Sequence, residues 1–323
     1  MNNKFVNACN RVNQKTPPIW MMRQAGRYHS HYQELKKSYT FEQLCKTPEL
    51  AAEVARGPVA EFDFDLAILF SDILFVFEAL GLPLKFDPGP KFEHKITEQW
   101  MPEAFNLEKA IDFMQFQKQA MQATREALPK DKSLIGFVGG PWSLLNFGLD
   151  SSCSLKFRKE FLNSVMVPLL KANIQLQLDG GAEKVMILDS GLANIPEWFL
   201  ETEYGDIIKK LVGPNIGYYC RGFLGEKAKF VLDNGWAGVG IDASLSLRYT
   251  MKTYNKGFVQ GNFNESMLLL PKKQYVHALD KFCDDMQDKN LTGWICGLGH
   301  GINKLTPEKN VHYFIDTIRR RFS

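Results

Sequence analysis

The 323-residue sequence has no C-x-x-C pair, no uninterrupted apolar run of membrane-spanning length and no strong excess of charge of either sign. Each absence removes a class of function. The six cysteines, Cys9, Cys45, Cys153, Cys220, Cys283 and Cys296, are scattered, so no disulfide framework is encoded and the reduced thiols of a cytoplasmic protein are expected. The N-terminal stretch MNNKFVNACNRVNQK lacks the continuous apolar core of a secretory signal, and no export is expected. Leu66 to Leu84 is the most apolar stretch, but Ser71, Asp72 and Glu78 interrupt it. A membrane span needs about 20 apolar residues, so a strand, a loop and a helix describe it better, and no membrane partner is expected. The net charge is only +3, and the one basic run, Arg319 to Arg321, reads as a solvated helix end at the C-terminus. Nucleic acid is therefore not an expected partner. No Pro/Gly/Ser-rich linker and no repeat of fixed sequence divides the chain.

What is present is an ordinary globular mixture, 45% apolar and 23% charged, able to bury a sizeable core. Short β-rich runs recur, each followed by a segment of helical periodicity, the pattern of βα units around a parallel sheet. Eight such runs begin near Pro18–Met22, Leu66–Phe70, Ser133–Phe137, Lys184–Leu188, Ile216–Tyr219, Gly238–Ile241, Gly257–Val259 and Gly293–Ile295. Intervening stretches such as Leu155–Leu178, Glu197–Leu211, Lys227–Asn234 and Lys272–Asp288 mix apolar and charged residues as outer helices should. Eight units at this length suit a closed barrel, whereas five to seven would suit an open doubly wound sheet. The expectation is an α/β fold, a single and somewhat distorted (β/α)₈ TIM-type barrel over 1–323. The segment KFDPGPKFEHKITE, Lys85 to Glu98, fits no βα unit and reads as a hairpin or loop insertion after the second strand, on the face where long βα loops cover a site.

A barrel's site is built just past the C-terminal ends of its strands. There the sequence places Arg23-Gln24-Ala25-Gly26-Arg27, Ser71-Asp72, Gly139-Gly140-Pro141-Trp142, Asp189-Ser190, Arg221-Gly222, Asp242, Gln260-Gly261-Asn262 and Gly299-His300-Gly301. Polar and glycine residues gathered at one face make a pocket hypothesis. Arg23 and Arg27, four apart, could aim two guanidiniums at one anion, or be a pair of surface arginines. Asp72 fits an N-cap of the following helix as well as a functional carboxylate. His300 between two glycines requires close backbone approach or positive φ nearby, and could equally be a structural hydrogen-bonder.

PIWMMRQAGRY (Pro18 to Tyr28), ILFSDIL (Ile68 to Leu74), IGFVGGPWSL (Ile135 to Leu144), VQGN (Val259 to Asn262) and LGHGI (Leu298 to Ile302) resemble, in order, the motifs of the uroporphyrinogen decarboxylase family. The resemblance runs from about Phe5 to the last helix. It implies a carboxy-lyase of porphyrin and heme biosynthesis that removes four acetate carboxyls from uroporphyrinogen III to give coproporphyrinogen III, with no metal and no organic cofactor. Loss of carbon dioxide from a pyrrole-acetate leaves an electron pair with no carbonyl to hold it; the family's solution is to protonate a pyrrole carbon, so that the ring accepts those electrons. By resemblance, Asp72 faces the pyrrole N–H groups and stabilises the forming positive charge. Arg23 binds carboxylate and is the candidate for delivering the proton, and Arg27 anchors neighbouring carboxylates. An arginine is an unusual acid, so direct donation and orientation of another group both stay open. Gln24, Ser190 and His300 match positions that hydrogen-bond substrate carboxylates. A homodimer with the two sites facing each other is the family's usual assembly.

The chain departs from the family pattern at four positions. Phe147 stands where a tyrosine is usual, Gly297 where an asparagine precedes L-G-H-G, Ala243 where a tryptophan follows Asp242, and Lys36 where a further arginine is found. Phe147 keeps its place among the substrate-binding positions without a hydroxyl, at a cost of about 1 kcal/mol. Two alternatives stand beside this reading: a corrinoid or thiol methyltransferase of the same superfamily, and a tetrapyrrole-binding relative with impaired catalysis. The first needs zinc on His and Cys, typically with an H-x-C pair. No H-x-C occurs, and His29-x-His31, the nearest approach to a ligand pair, reads as solvated.

Overall fold

The computed structural model describes residues 1–86, 89–100, 105–222, 232–287 and 292–323. Seven parallel strands form one curled sheet in the order β1 (Leu66–Ile68), β4 (Ser133–Gly139), β5 (Lys184–Asp189), β6 (Ile216–Cys220), β7 (Gly238–Gly240), β8 (Phe258–Phe263) and β9 (Trp294–Leu298). The missing stave is the first predicted run. Trp20 N donates to Cys296 O at 2.9 Å and Cys296 N to Pro18 O at 2.9 Å, while on the other side Asp65 N donates to Ile19 O at 3.1 Å. The segment therefore joins β9 to β1. Pro17 and Pro18 have no N–H to give, which limits the ladder to a bridge at Ile19.

The buried carboxylate of Asp65 anchors this closure. It accepts Ile19 N at 2.8 Å, Lys4 Nζ at 2.9 Å and Asn2 Nδ2 at 3.3 Å. A buried carboxylate left short of donors would cost several kcal/mol, so three donors hold the strand end in place. Because Arg23 follows three residues after Trp20, the same anchor sets where the arginine pair begins.

Side chains alternate between two cores as the period of two requires. Trp20, Met22, Leu66, Ile68, Ile135, Met186, Tyr219, Phe258 and Ile295 fill the barrel interior. Their neighbours Ile19, Met21, Ala67, Leu134, Val185, Ile187, Tyr218, Val259 and Cys296 point outward into the layer beneath the helices. That layer includes the helices Pro48–Phe62, Leu107–Ala127, Val167–Asp179, Lys272–Asp285 and Glu308–Arg321. Residues 227–231 of the expected Lys227–Asn234 helix, and residue 288, lie outside the described residues.

The expected insertion is an antiparallel hairpin, β2 (Leu84–Phe86) with β3 (Pro90–Phe92), in register Leu84 with Phe92 and Phe86 with Pro90. Phe86 packs on Phe41 and Phe75, and Phe92 on Phe77, which fixes the hairpin to the body. One expectation is corrected: His29 is not solvated. It is 1% exposed, with its ring against Tyr28, His31 and Phe62.

Candidate active site

Past the C-terminal strand ends opens a cavity of about 990 Å³, at the upper end of what small-molecule sites occupy. Ile68, Phe137, Leu188 and Tyr219 of the barrel interior also line it. All seven residues singled out in the sequence, Arg23, Gln24, Arg27, Asp72, Phe147, Ser190 and His300, line this one space, as does Lys36.

Asp72 follows β1 by four residues. Its Oδ1 accepts Leu74 N at 2.9 Å; Leu74, not Asp72, is the N-cap of the helix Phe75–Ala79, so Asp72 braces the turn before the helix from the cavity wall and does not cap it. Burial pushes the carboxyl above its ordinary range, against the opposing effects of the Leu74 N–H and the Arg23 charge. Arg23 lies flat over Gly301, where a Cβ would stand 3.1 Å from Arg23 Nε. A Cβ at Gly299 would meet Ala243 N at 2.7 Å. The two glycines flanking His300 thus serve close approach, since neither has a positive φ.

Gln24 is tied down by Nε2, which donates to Leu66 O at 2.7 Å, and Tyr28 OH donates to Gln24 O at 2.6 Å. Its buried Oε1 and the buried Ser71 Oγ have no partner. Each such atom costs about 1–3 kcal/mol unless water or a ligand reaches it. Arg27 lies on the same wall, where its charge opposes the upward push that burial gives the Tyr32 hydroxyl. Phe147 is 42% exposed, with its ring open to the cavity.

His300 hangs from β9 at the cavity's edge. Its Nδ1 lies 3.1 Å from Tyr219 OH, which also donates to Gly299 O at 2.9 Å. Burial, then the Arg221 and Arg23 charges, push the imidazole down to about 4, with Asp242 opposing. It is neutral at pH 7.

Asp189, Asp242 and Asn262, also at strand ends, do not line the cavity. Asp189 is fully buried and accepts from Ser143 N at 2.8 Å, Ser143 Oγ at 2.7 Å, Tyr218 OH at 2.7 Å and Tyr204 OH. Ser143 Oγ in turn accepts Gly191 N at 2.7 Å. This network braces the loop that carries Ser190. Asp242 likewise accepts Gly222 N and Ser244 N at 2.7 and 3.0 Å, and Asn262 Nδ2 donates to Asp242 O and Leu245 O, each at 2.7 Å. They hold rim loops.

Sequence reasoning placed Arg221 at the pocket face without a specific role and did not single out the cavity residues Tyr219, Glu265 and Lys304. Arg221 sits 3.7 Å from Glu265. Their signals were available: Arg221 directly follows β6, and the period of two turns Tyr219 inward and Tyr218 outward. The described charged residues lining the cavity are five cations, Arg23, Arg27, Lys36, Arg221 and Lys304, against two carboxylates, Asp72 and Glu265. Such a field favours a polyanion. Among the described residues no group of three His, Cys, Asp or Glu side chains could hold a metal ion, so the donor set does not fit a zinc centre.

Gly297, one of the four departures, has a steric basis. A Cβ there would stand 2.1 Å from Trp20 O. The closing strand leaves no room for asparagine.

Residues 1–321 match the model of the family described as Uroporphyrinogen decarboxylase (URO-D). A relative named uroporphyrinogen decarboxylase from Campylobacter lari is 34% identical over 345 aligned positions, covering 98% of each chain. One of the same name from Neorickettsia sennetsu is 33% identical, covering 94% of this chain and 97% of its own. Among solved structures, a methyltransferase from Methanosarcina mazei has a TM-score of 0.75 at 15% identity, covering 100% of this chain and 99% of its own. A B12-independent methionine synthase from Shewanella reaches 0.54 at 7% identity, covering 95% and 96%. At those identities the two structures share the fold with this chain.

Proposed function

The chain belongs to the uroporphyrinogen decarboxylase family, and from that premise we propose that it decarboxylates uroporphyrinogen III to coproporphyrinogen III, with Asp72, Arg23 and Arg27 as the catalytic group. Each turn converts R–CH2–COO⁻ and a proton into R–CH3 and carbon dioxide, and four turns take eight carboxylates to four. The observation that carries the assignment is the desolvated Asp72 carboxyl, on the wall of a 990 Å³ cavity it shares with both arginines.

In this reading Asp72 accepts hydrogen bonds from the pyrrole N–H groups. As a pyrrole carbon gains a proton, the ring becomes a cation beside that carboxylate, and the departing carboxyl's electron pair flows into it. A unit charge pair at about 4 Å with an effective dielectric near 20 is worth roughly 4 kcal/mol. Preorganised on the cavity wall, most of that falls on the transition state. Arg23 binds the reacting carboxylate and stands at the proton-delivery step, and Arg27 anchors its neighbours. Gln24, Ser190 and His300 meet further carboxylates, and Phe147 gives the macrocycle an apolar rim without a hydroxyl. The excess of cationic side chains supports an octa-anionic substrate over a neutral one.

The whole of 1–323 acts as one catalytic barrel in this proposal. Residence in the cytoplasm is supported by the scattered free thiols, and a homodimer is carried over from the resemblance; sedimentation of the full chain tests the latter. No helix among the described residues is long and apolar enough to cross a membrane. The deciding experiment is oxygen-free incubation with uroporphyrinogen III, following products with seven down to four carboxyls. Binding without release of carbon dioxide would make the chain a tetrapyrrole binder instead.

A further inference from the structure

We infer that Tyr219 is a positioning residue for His300: it holds the imidazole as the Nδ1–H tautomer, so that the substrate carboxylate received there docks together with a proton from solvent. That His300 receives a carboxylate rests on the proposed function; the tautomer rests on geometry alone.

A phenol hydroxyl has one hydrogen to give. Tyr219 OH lies 2.9 Å from Gly299 O and 3.1 Å from His300 Nδ1. A carbonyl oxygen only accepts, so the hydroxyl hydrogen goes to Gly299 and the second contact needs a hydrogen on Nδ1. Tyr219 cannot turn away, being 2% exposed and packed inside the barrel. Its ring lies nearly parallel to the imidazole, 15° between planes and 6.2 Å between centroids. With Nδ1 protonated, a neutral imidazole presents a bare lone pair at Nε2, and no described residue bonds that atom.

A lone pair facing a carboxylate repels it. The carboxylate can be received only when Nε2 also carries a proton. Burial first, then the charges facing the ring, keep that proton off in the empty site: Arg221 and Arg23 oppose it, and Asp242 favours it. Glu265 pairs with Arg221, 3.7 Å away. Substrate carboxylates engaging the two guanidiniums reverse the sign of the field, and the imidazole then charges.

Two measurements test this on the full chain. Ring-nitrogen NMR of ¹⁵N-labelled protein, with the His300 signals identified by their loss in His300→Gln, should find Nδ1 protonated and Nε2 bare. In Tyr219→Phe, which keeps the ring and deletes the hydroxyl, the population should move toward Nε2–H. Calorimetric binding of coproporphyrinogen III without oxygen, in phosphate and in Tris near neutral pH, should give buffer-dependent enthalpies that report net proton uptake. That uptake should be lost in His300→Gln and reduced in Tyr219→Phe. An Nε2–H tautomer in the unmodified chain, or tight binding with no proton uptake, overturns the inference and leaves the decarboxylase assignment standing. Failure of coproporphyrinogen to bind at all sinks that assignment instead, and the proton-coupled docking with it.

Discussion

Replacing Asp72 with asparagine removes one charge and almost nothing else, and the structure predicts opposite effects on rate and stability. Asparagine keeps an Oδ1 that can accept Leu74 N, now bonded at 2.9 Å, so the turn into the following helix survives. The carboxylate's attraction for a pyrrole cation, about 4 kcal/mol at 4 Å and dielectric 20, is lost from the transition state. At 1.36 kcal/mol per decade that lowers kcat roughly a thousandfold. Stability moves the other way. Burial raises the folded-state value of this carboxyl above its ordinary 3.8, so the ionised form is disfavoured in the fold and costs stability at every pH above both values. Removing the charge at neutral pH should leave Tm unchanged or higher, with the lost attraction to Arg23 as partial offset. Anaerobic product chromatography gives kcat, and calorimetry gives Tm. A variant that turns over within about tenfold of the unmodified chain, or melts more than about 4 °C lower, roughly 1–2 kcal/mol, would refute the placement of Asp72 as a desolvated catalytic carboxylate.

Arg23→Lys keeps the charge but not the planar fork, and should lower kcat/KM roughly 10- to 100-fold through lost bidentate hydrogen bonds; an unchanged value would refute bidentate recognition. Phe147→Tyr restores a hydroxyl at the rim and should tighten substrate binding by about 1 kcal/mol, or about fivefold in KM, measured by steady-state kinetics. Gly297→Ala drives a methyl to 2.1 Å from Trp20 O and should cost roughly 1–3 kcal/mol as a lowered Tm. Gly26→Ala, with nothing within 4 Å of the new methyl, is the matched comparison. His300 is held at about 4 against an ordinary 6.5, so the folded state prefers it neutral. Its contribution to stability is complete above pH 6.5 and is lost as pH falls toward about 4. In His300→Gln the fall of Tm across that window should be shallower, and an identical slope would remove His300 from the acid response.

Much of the site was legible because barrel chemistry collects at strand ends, and strand ends can be found from runs of β-branched and apolar residues. Arg23, Arg27, Asp72, Ser190 and His300 all follow such runs and all reach the cavity. The same rule could not separate Ser190 from its neighbour Asp189, which faces Tyr204, Tyr218 and Ser143 instead. Whether a polar residue at a strand end turns inward or braces a loop depends on partners distant in sequence. Solvation of His29 was misjudged for the same reason, since the ring that covers it, Phe62, comes from another helix.

The order of strands, the hairpin after the second run and the family motifs follow from local pattern, because period, turn chemistry and short motifs are properties of contiguous residues. Three-dimensional packing decided the rest. It closed the ring through Ile19 despite two prolines, with Asp65 as the anchor, and barred a side chain at Gly297 through the Trp20 carbonyl. It also set Arg221, Glu265 and Tyr219 around His300. Hydrogen bonds and fields act across a few ångströms of space whatever the separation along the chain, so the protonation of His300 is written in its neighbours and not in its own segment.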